Sequence, residues 1–190
     1  MTTAHCSLIA TEQDSVLVLM DIQERLTTAM QNGVRERLIE QVSILLAAAK
    51  ALSVPVIATE QYPKGLGPTE QALTALFSDA VPIIEKTSFS SAKVDDFLVA
   101  IAQTERKQII LTGMETHICI MQSALELQQH GYQVFVVEDA VSSRLKTNQD
   151  NALQRLRQAG IIVSNVESII FEWLGDAKHP AFRSLSKLIV

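Results

Sequence analysis

The chain has 190 residues, a length that suits one domain, and we expect a single domain over residues 1–190. It is 47% hydrophobic but only 5% aromatic, which favours an aliphatic core of the kind that covers a parallel sheet. The formal net charge of −5, without a run of Lys or Arg, argues against a nucleic acid or an anionic membrane as partner. No apolar run reaches the roughly 20 residues that span a bilayer.

The two cysteines, Cys6 and Cys119, are too few for a disulfide framework. The N-terminus shows neither the charged region nor the long apolar region of a secretory signal. We therefore expect a cytoplasmic protein, because a reducing compartment keeps thiols free. Cys6 falls in a predicted flexible N-terminal arm and is expected to be inert.

Six apolar runs predict strands, and helical periodicity fills the segments between them. The predicted strands are residues 15–20, 54–59, 81–85, 108–112, 133–138 and 161–164. The predicted helices are residues 34–52, 69–77, 92–103, 116–129 and 148–159. This alternation predicts an α/β fold, a three-layer doubly wound sheet of about six parallel strands with helices on both faces. We expect the Rossmann-like strand order 3-2-1-4-5-6.

Chemically active side chains stand where three of these strands end. Asp21 follows the first strand, Lys86 follows the third, and Cys119 lies in the first turn of the helix after the fourth. The carboxyl ends of parallel strands meet at one edge of the sheet, where ligands bind in open α/β folds. The expected order makes the first and fourth strands neighbours, and a lysine side chain is long enough to reach them from the third. We therefore expect the three residues to form one site.

These residue types suit nucleophilic catalysis. A thiol at the start of a helix lies near backbone N–H groups and the positive end of the helix dipole, which favour the thiolate. The ammonium of Lys86 lowers the thiol pKa further. Asp21 can take the thiol proton and return it to a leaving amine. The turn before Cys119 supplies backbone amides that can stabilise the oxyanion of an attacked carbonyl.

Each residue at this edge also has a purely structural interpretation. Asp21 can be a helix N-cap, Lys86 a surface ion-pair partner and Cys119 a small buried hydrophobe. Asp139, at the end of the fifth strand, is expected to bind backbone amides of the turn that follows it. His117 lies two residues from the thiol, but a neighbour at this spacing on a helix points away, so we do not expect it to be the base.

Three loop residues are predicted to line the pocket. Gln61 and Tyr62 belong to the turn-rich segment 59–70 after the second strand, and Phe89 follows the third strand. The mix suits a small, partly flat, polar substrate, although each residue could equally pack within its own loop. Arg144, after the fifth strand, could hold a substrate carboxylate, but a pair with a neighbouring acid is favoured.

Four stretches of the sequence, VLVLMDIQ, EKTSFS, TGMETHICI and GYQVFVVEDAVSSR, resemble the isochorismatase-like cysteine hydrolase family. The likeness extends over about residues 14–175. Two further stretches, TEQYPKGLGPTE and METHICIMQSAL, are most similar to the isochorismatase-domain-containing subgroup, whose physiological substrates are poorly defined. The resemblance implies the α/β fold already expected from the alternation of strands and helices.

The resemblance also implies roles for single residues. Asp21 would be the base, Lys86 the cation that tunes the thiol, and Cys119 the nucleophile. The backbone N–H groups of Glu115 and Cys119 would form an oxyanion hole, with a non-proline cis peptide at Met114–Glu115. Homo-oligomers, either dimers or tetramers, are the expected assembly.

Two departures from the family pattern narrow the expected function. Family nicotinamidases carry an Asp and several His after the second strand as a metal site, whereas Glu60 and Gln61 stand near those positions here, and no His occurs between His5 and His117. We therefore expect no metal and no cofactor. True isochorismatases cleave a vinyl ether without a cysteine nucleophile. Cys119 thus favours hydrolysis of a C–N bond in a small amide, ureide or related compound through a thioester.

Two other functions stay open at this stage. The chain could be a non-catalytic binding or scaffold protein that has kept the fold, although the intact Asp-Lys-Cys set argues against this. It could also be a redox-active thiol protein. That function needs a resolving cysteine, and Cys6 is a poor candidate for one.

Overall fold

The computed structural model describes residues 8–189 of the chain. The expectation for Cys6 concerns a residue outside this range. Within it, one six-stranded sheet has the strand order 3-2-1-4-5-6, and every neighbouring pair is parallel, which confirms the predicted fold class. The strands are β1 Ser15–Met20, β2 Val56–Gln61, β3 Ile83–Lys86, β4 Gln108–Met114, β5 Gln133–Ser142 and β6 Ile162–Ser164.

Helices connect the strands and follow the last of them. The α-helices are α1 Glu24–Thr27, α2 Val34–Ala51, α3 Pro63–Leu66, α4 Gln71–Thr74, α5 Asp95–Gln103, α6 Met121–Gln129, α7 Lys146–Gln158, α8 Val166–Leu174 and α9 Phe182–Leu185. Short 3₁₀ turns occupy Ser91–Lys93 and Ser186–Leu188, and a π-helical segment, Thr116–Ile120, leads directly into α6. In the described part of the chain, no helix combines the length and the hydropathy needed to cross a membrane.

The core has two halves, one on each face of the sheet. In β1, Leu17 and Leu19 pack with the first half, which contains the buried faces of α2 and α8. Val16, Val18 and Met20 pack with the second half, formed by buried residues of α5, α6 and α7. Because successive residues of a strand face opposite sides, the continuous apolar run of β1 is buried on both faces. Helices therefore cover both faces of the sheet, as a three-layer fold requires.

The strands that lead to the site differ slightly from their predicted bounds. β2 begins after Pro55 and β3 after Pro82, because a residue without an N–H group cannot donate to the strand ladder. β2 also runs two residues further than its apolar core predicts, through Glu60 and Gln61. Gln61 is therefore a strand residue, paired in register with the last residue of β3, Lys86.

Candidate active site

Asp21 is the residue at which the chain leaves the sheet after β1. Its backbone takes a positive φ of 54°, a conformation that Asp tolerates better than most residues, and its N–H still donates to the carbonyl of Thr59 at 3.1 Å. The carboxylate is fully buried, and its Oδ1 accepts a 2.6 Å hydrogen bond from Thr59 Oγ1. The N-cap of the following helix is Gln23, so the N-cap interpretation of Asp21 is wrong.

Lys86 reaches from the end of β3, past β2, to the end of β1. Its Nζ donates to Asp21 Oδ2 at 2.7 Å and to Gln61 Oε1 at 2.7 Å, and both charged side chains are 0% exposed. The carbonyls of Ser88 and Phe89 accept from the same nitrogen at 3.3 and 3.1 Å. Lys86 is therefore a buried ammonium paired with a buried carboxylate, and its interpretation as a surface ion-pair partner is wrong.

Cys119 completes the group of three side chains. It lies in the π-helical segment between β4 and α6, and only 6% of its surface is exposed. Its thiol is close enough to the Asp21 carboxylate and the Lys86 ammonium for both charges to shift its pKa. Short π-helical segments are rare and occur often at functional sites. The structure thus brings together the three residues that the strand ends predicted.

The pKa of the thiol is set by opposing influences. Burial is the main influence, and together with the negative charge of Asp21 it raises the pKa of Cys119 to about 12. The Lys86 ammonium lowers the thiol pKa, as predicted, but does not outweigh burial. Burial and the charge of Asp21 thus oppose the thiolate that the helix start and Lys86 were expected to favour, and they leave a thiol whose proton Asp21 can accept.

The turn between β4 and Cys119 is built from close backbone contacts. Gly113 has a φ of 113°, and a Cβ atom there would lie 2.0 Å from the carbonyl oxygen of Met20. Only glycine fits this approach of β4 to the end of β1. The Met114–Glu115 peptide that follows is cis, as the resemblance implied. In residues 8–189, no backbone hydrogen bond of a turn, loop or cap uses the N–H of Glu115.

The side chain of Glu115 points to Arg144, which follows β5. Glu115 Oε1 accepts from Arg144 Nε at 2.7 Å and from the Arg144 backbone N–H at 3.2 Å. The carboxylate is buried, whereas the arginine side chain is 58% exposed, and the pair raises the pKa of Arg144. Arg144 therefore pairs with a neighbouring acid, which confirms the favoured interpretation.

His117 turns towards the segment after β5. Its Nδ1 lies 2.9 Å from Ser143 Oγ and its Nε2 lies 3.4 Å from Asn148 Nδ2. Both ring nitrogens are thus occupied by groups other than the thiol, which supports the prediction that His117 is not the base.

Asp139 was expected to bind backbone amides of the turn after β5, and this expectation is wrong. Its Oδ1 accepts at 3.0 Å from the N–H of Val166 at the start of α8, and not from the turn after β5.

The three predicted pocket residues all adjoin Lys86. Gln61 accepts from Lys86 Nζ, the Tyr62 N–H donates to the Lys86 carbonyl at 2.8 Å, and the Phe89 carbonyl accepts from Nζ. The rings of Tyr62 and Phe89 are largely exposed, and the tyrosine ring packs against Gly65. Substrate binding by these residues stays a prediction. Sequence reasoning missed two further buried polar residues here, Thr59 beside Asp21 and Gln23 beside Gln61.

The segment that holds metal ligands in nicotinamidases has a different role here. Glu60 Oε1 accepts hydrogen bonds from Thr69 N at 2.7 Å and Thr69 Oγ1 at 2.8 Å, which ties down the loop after β2. The side-chain amide of Gln61 accepts a hydrogen bond from Lys86 Nζ and donates one to the carbonyl of Thr87. Among residues 8–189, no group of three or more His, Cys, Asp or Glu side chains could hold a metal ion. Activity without a metal stays a prediction.

Comparison with known proteins agrees with this geometry. Residues 15–168 match the family model of the isochorismatase domain. The chain is 41% identical over 181 residues to isochorismatase domain-containing protein 2 of Xenopus laevis, and the match covers 94% of this chain and 85% of that protein. The structure is similar to that of MAR1 ribonuclease from Caenorhabditis elegans, with a TM-score of 0.89, 35% identity, and coverage of 95% and 92% of the two chains. It is also similar to the YCAC gene product of Escherichia coli, an octameric hydrolase of unknown specificity, with a TM-score of 0.89, 26% identity, and coverage of 97% and 90%. The chain therefore belongs to the isochorismatase family of hydrolases.

Proposed function

We propose that this protein is a cysteine-dependent hydrolase that cleaves the C–N bond of a small amide, ureide or related compound. The proposal is carried by one observation, the convergence of Asp21, Lys86 and Cys119 from three strand ends, with a 2.7 Å contact between the two charged groups. A buried ion pair is weak evidence for stability, because well-packed apolar side chains often serve as well. A thiol buried beside a carboxylate and an ammonium is better explained by a catalytic role than by stability.

In the first half-reaction, the thiol of Cys119 attacks the substrate carbonyl while Asp21 accepts its proton. A thiol with a pKa of about 12 is a poor nucleophile until this transfer takes place, so attack and proton transfer are coupled. The C–N bond then breaks, Asp21 returns the proton to the leaving nitrogen, and an acyl thioester of Cys119 remains. Lys86 stabilises the negative charge on sulfur as it develops and holds the carboxylate in place.

In the second half-reaction, water attacks the thioester and Asp21 accepts a proton from that water. The C–S bond breaks, the thiol is restored, and the acid product leaves, so that one amide and one water give one acid and one amine. The carbonyl oxygen carries negative charge in both steps and needs fixed donors. We assign this role to the backbone N–H groups of Glu115 and Cys119. The Arg144–Glu115 pair keeps the glutamate side chain away from that position.

A screen of small amides and ureides tests the proposal by detecting release of ammonia or amine. Mass spectrometry of protein quenched during turnover should show a Cys119 adduct whose mass equals the acyl part of the substrate. Hydroxylamine should remove this adduct, because it attacks thioesters. Turnover without any adduct on Cys119 in rapidly quenched samples would contradict the covalent mechanism.

The Caenorhabditis elegans neighbour is named a ribonuclease, which makes RNA cleavage a second activity to test. The net charge of −5 and the lack of a basic run disfavour it here, because RNA binding depends on cations that neutralise phosphates. We therefore place a small molecule, and no nucleic acid or membrane, as the partner of the site. Cleavage of single-stranded RNA by the wild-type protein, lost in Cys119→Ala, would replace amide hydrolysis as the conclusion.

Hydrolysis is expected to need no metal ion. The carboxylate of Glu60 is held by Thr69, and the side chain of Gln61 is held by Lys86 and Thr87, so neither is available as an open ligand. Treatment with EDTA or 1,10-phenanthroline, followed by desalting, should leave the turnover rate within about twofold of the untreated protein. Loss of activity that zinc, iron or manganese restores would contradict this expectation.

The family relation also supports a homo-oligomer, since the Escherichia coli neighbour is an octamer. The dimer or tetramer expected from the sequence stays a prediction, as does the cytoplasmic location. Sedimentation velocity of the purified chain measures its assembly directly, and a monomer at micromolar concentration would contradict it.

A further inference from the structure

Gln23 is a buried amide that the mechanism above leaves unused. It stands two residues after Asp21, and it is 0% exposed. Its Nε2 donates to the carbonyls of Gln61 at 3.1 Å and Gly67 at 2.6 Å, and its Oε1 accepts from the N–H of Gln61 at 2.7 Å. The amide of Gln23 therefore holds the backbone of Gln61 through both its donor and its acceptor.

The side chain of Gln23 takes the place of strand backbone beyond the end of β1. β1 ends at Met20, which pairs in register with Thr59 of β2, so within residues 8–189 the register of β1 stops short of Gln61, the last residue of β2. On its other side Gln61 pairs with Lys86 of β3. Buried backbone N–H and C=O groups need partners. The side chain of Gln23 supplies the donor and the acceptor that a longer β1 would have supplied.

The residue held in this way is itself a ligand of Lys86. Gln61 Oε1 accepts from Lys86 Nζ at 2.7 Å, while its Nε2 donates to the Thr87 carbonyl at 2.7 Å. We infer that Gln23 is a positioning residue, which fixes Gln61 so that the Gln61 amide oxygen holds Lys86 between Asp21 and Cys119. The inference rests on the proposed role of Lys86 and adds to it a residue that touches neither the thiol nor the substrate.

The test replaces Gln23 with methionine, which is similar in size but makes none of the three hydrogen bonds. Gln108→Met is the matched control, because Gln108 is also buried and lies at the start of β4, at the opposite end of the strands from the site. Its Oε1 accepts from Thr11 N at 2.8 Å and its Nε2 donates to the Ile9 carbonyl at 2.9 Å. Both substitutions should lower the melting temperature. The decisive measurement is the rate at which iodoacetamide alkylates Cys119, since it requires no known substrate.

A displaced Lys86 stabilises the thiolate less, so the pKa of Cys119 rises and less of the thiol is ionised at any lower pH. One pKa unit changes the thiolate fraction about tenfold. We therefore expect Gln23→Met to slow alkylation at least about tenfold at fixed pH, with Gln108→Met within about twofold of wild type. In a Gln61→Leu background the Gln23 substitution should change the rate less than about twofold, because coupled residues are not additive.

Equal alkylation rates in Gln23→Met and Gln108→Met would overturn the positioning role. If Gln23→Met does not fold, Gln23→Asn gives the same comparison, since it keeps the amide but is too short to reach the three partners. Failure of the proposed role of Lys86, on which the inference rests, has a different signature. In that case Lys86→Met would leave the alkylation rate of Cys119 unchanged, whatever residue stands at position 23.

Discussion

Replacement of Cys119 with alanine is expected to reduce amide turnover by about 10⁴-fold or more while leaving the fold intact. Removal of a covalent nucleophile has effects of this size in hydrolases, because the remaining groups only bind and polarise the substrate. The change in stability should be on the order of 1 kcal/mol, since one buried atom is lost from a site that is 6% exposed. Turnover and a denaturant melt of the same preparation measure both quantities.

Cys119→Ser is the companion variant, because it keeps a polar hydroxyl group where the sulfur was. A serine hydroxyl is far harder to ionise than a thiol, so this variant should also be inactive. More than a tenth of wild-type activity in either variant would remove Cys119 from the role of nucleophile. If the chain is a scaffold protein, the wild type should show no turnover, and both variants should bind the ligand as the wild type does.

Replacement of Lys86 with methionine is expected to damage both chemistry and stability. The ammonium lowers the thiol pKa, so its loss raises that pKa and slows alkylation of Cys119 at every pH below it. Turnover should fall by about 10²–10⁴-fold, the range for groups that assist proton transfer. The substitution also leaves the carboxylate of Asp21 buried without its cation, which costs about 3–5 kcal/mol of folding free energy.

A double-mutant cycle separates these two effects. Asp21→Asn in the Lys86→Met background removes the unpaired charge, so the free energy of unfolding should recover while turnover stays lost. Denaturant midpoints of the four proteins give the coupling energy of the pair. An alkylation rate of Cys119 that is the same with and without Lys86 would show that the ammonium does not tune the thiol.

The positions of the strands were predictable because each buried parallel strand appears as a short aliphatic run, and their order is the common one of doubly wound sheets. The end of β2 was not predictable in this way. Its last residues, Glu60 and Gln61, are polar, and on the side of β1 the backbone of Gln61 is held by the side chain of Gln23, from the segment after β1. Helix α8 was also not predicted, although its buried face completes one half of the core.

The membership of the site was predictable for a similar reason. Parallel strands bring their carboxyl ends to one edge, so Asp21, Lys86 and Cys119 could be grouped before any distance was known. The charge state of the thiol was not predictable, because it depends on the degree of burial and on the distance to Asp21. The partner of Asp139 was equally out of reach, since Val166 is 27 residues further along the chain.

The contact at Gly113 has a consequence for how this framework can diversify. β1 and β4 approach so closely there that a Cβ atom would meet the carbonyl of Met20 at 2.0 Å, so main chain rather than side chains sets the spacing of the two strand ends. Substitutions in the surrounding helices should therefore change the distance between Asp21 and Cys119 very little. Tyr62 and Phe89, by contrast, stand on loops with exposed rings. Loops of this kind can therefore change while Asp21 and Cys119 keep their relative positions.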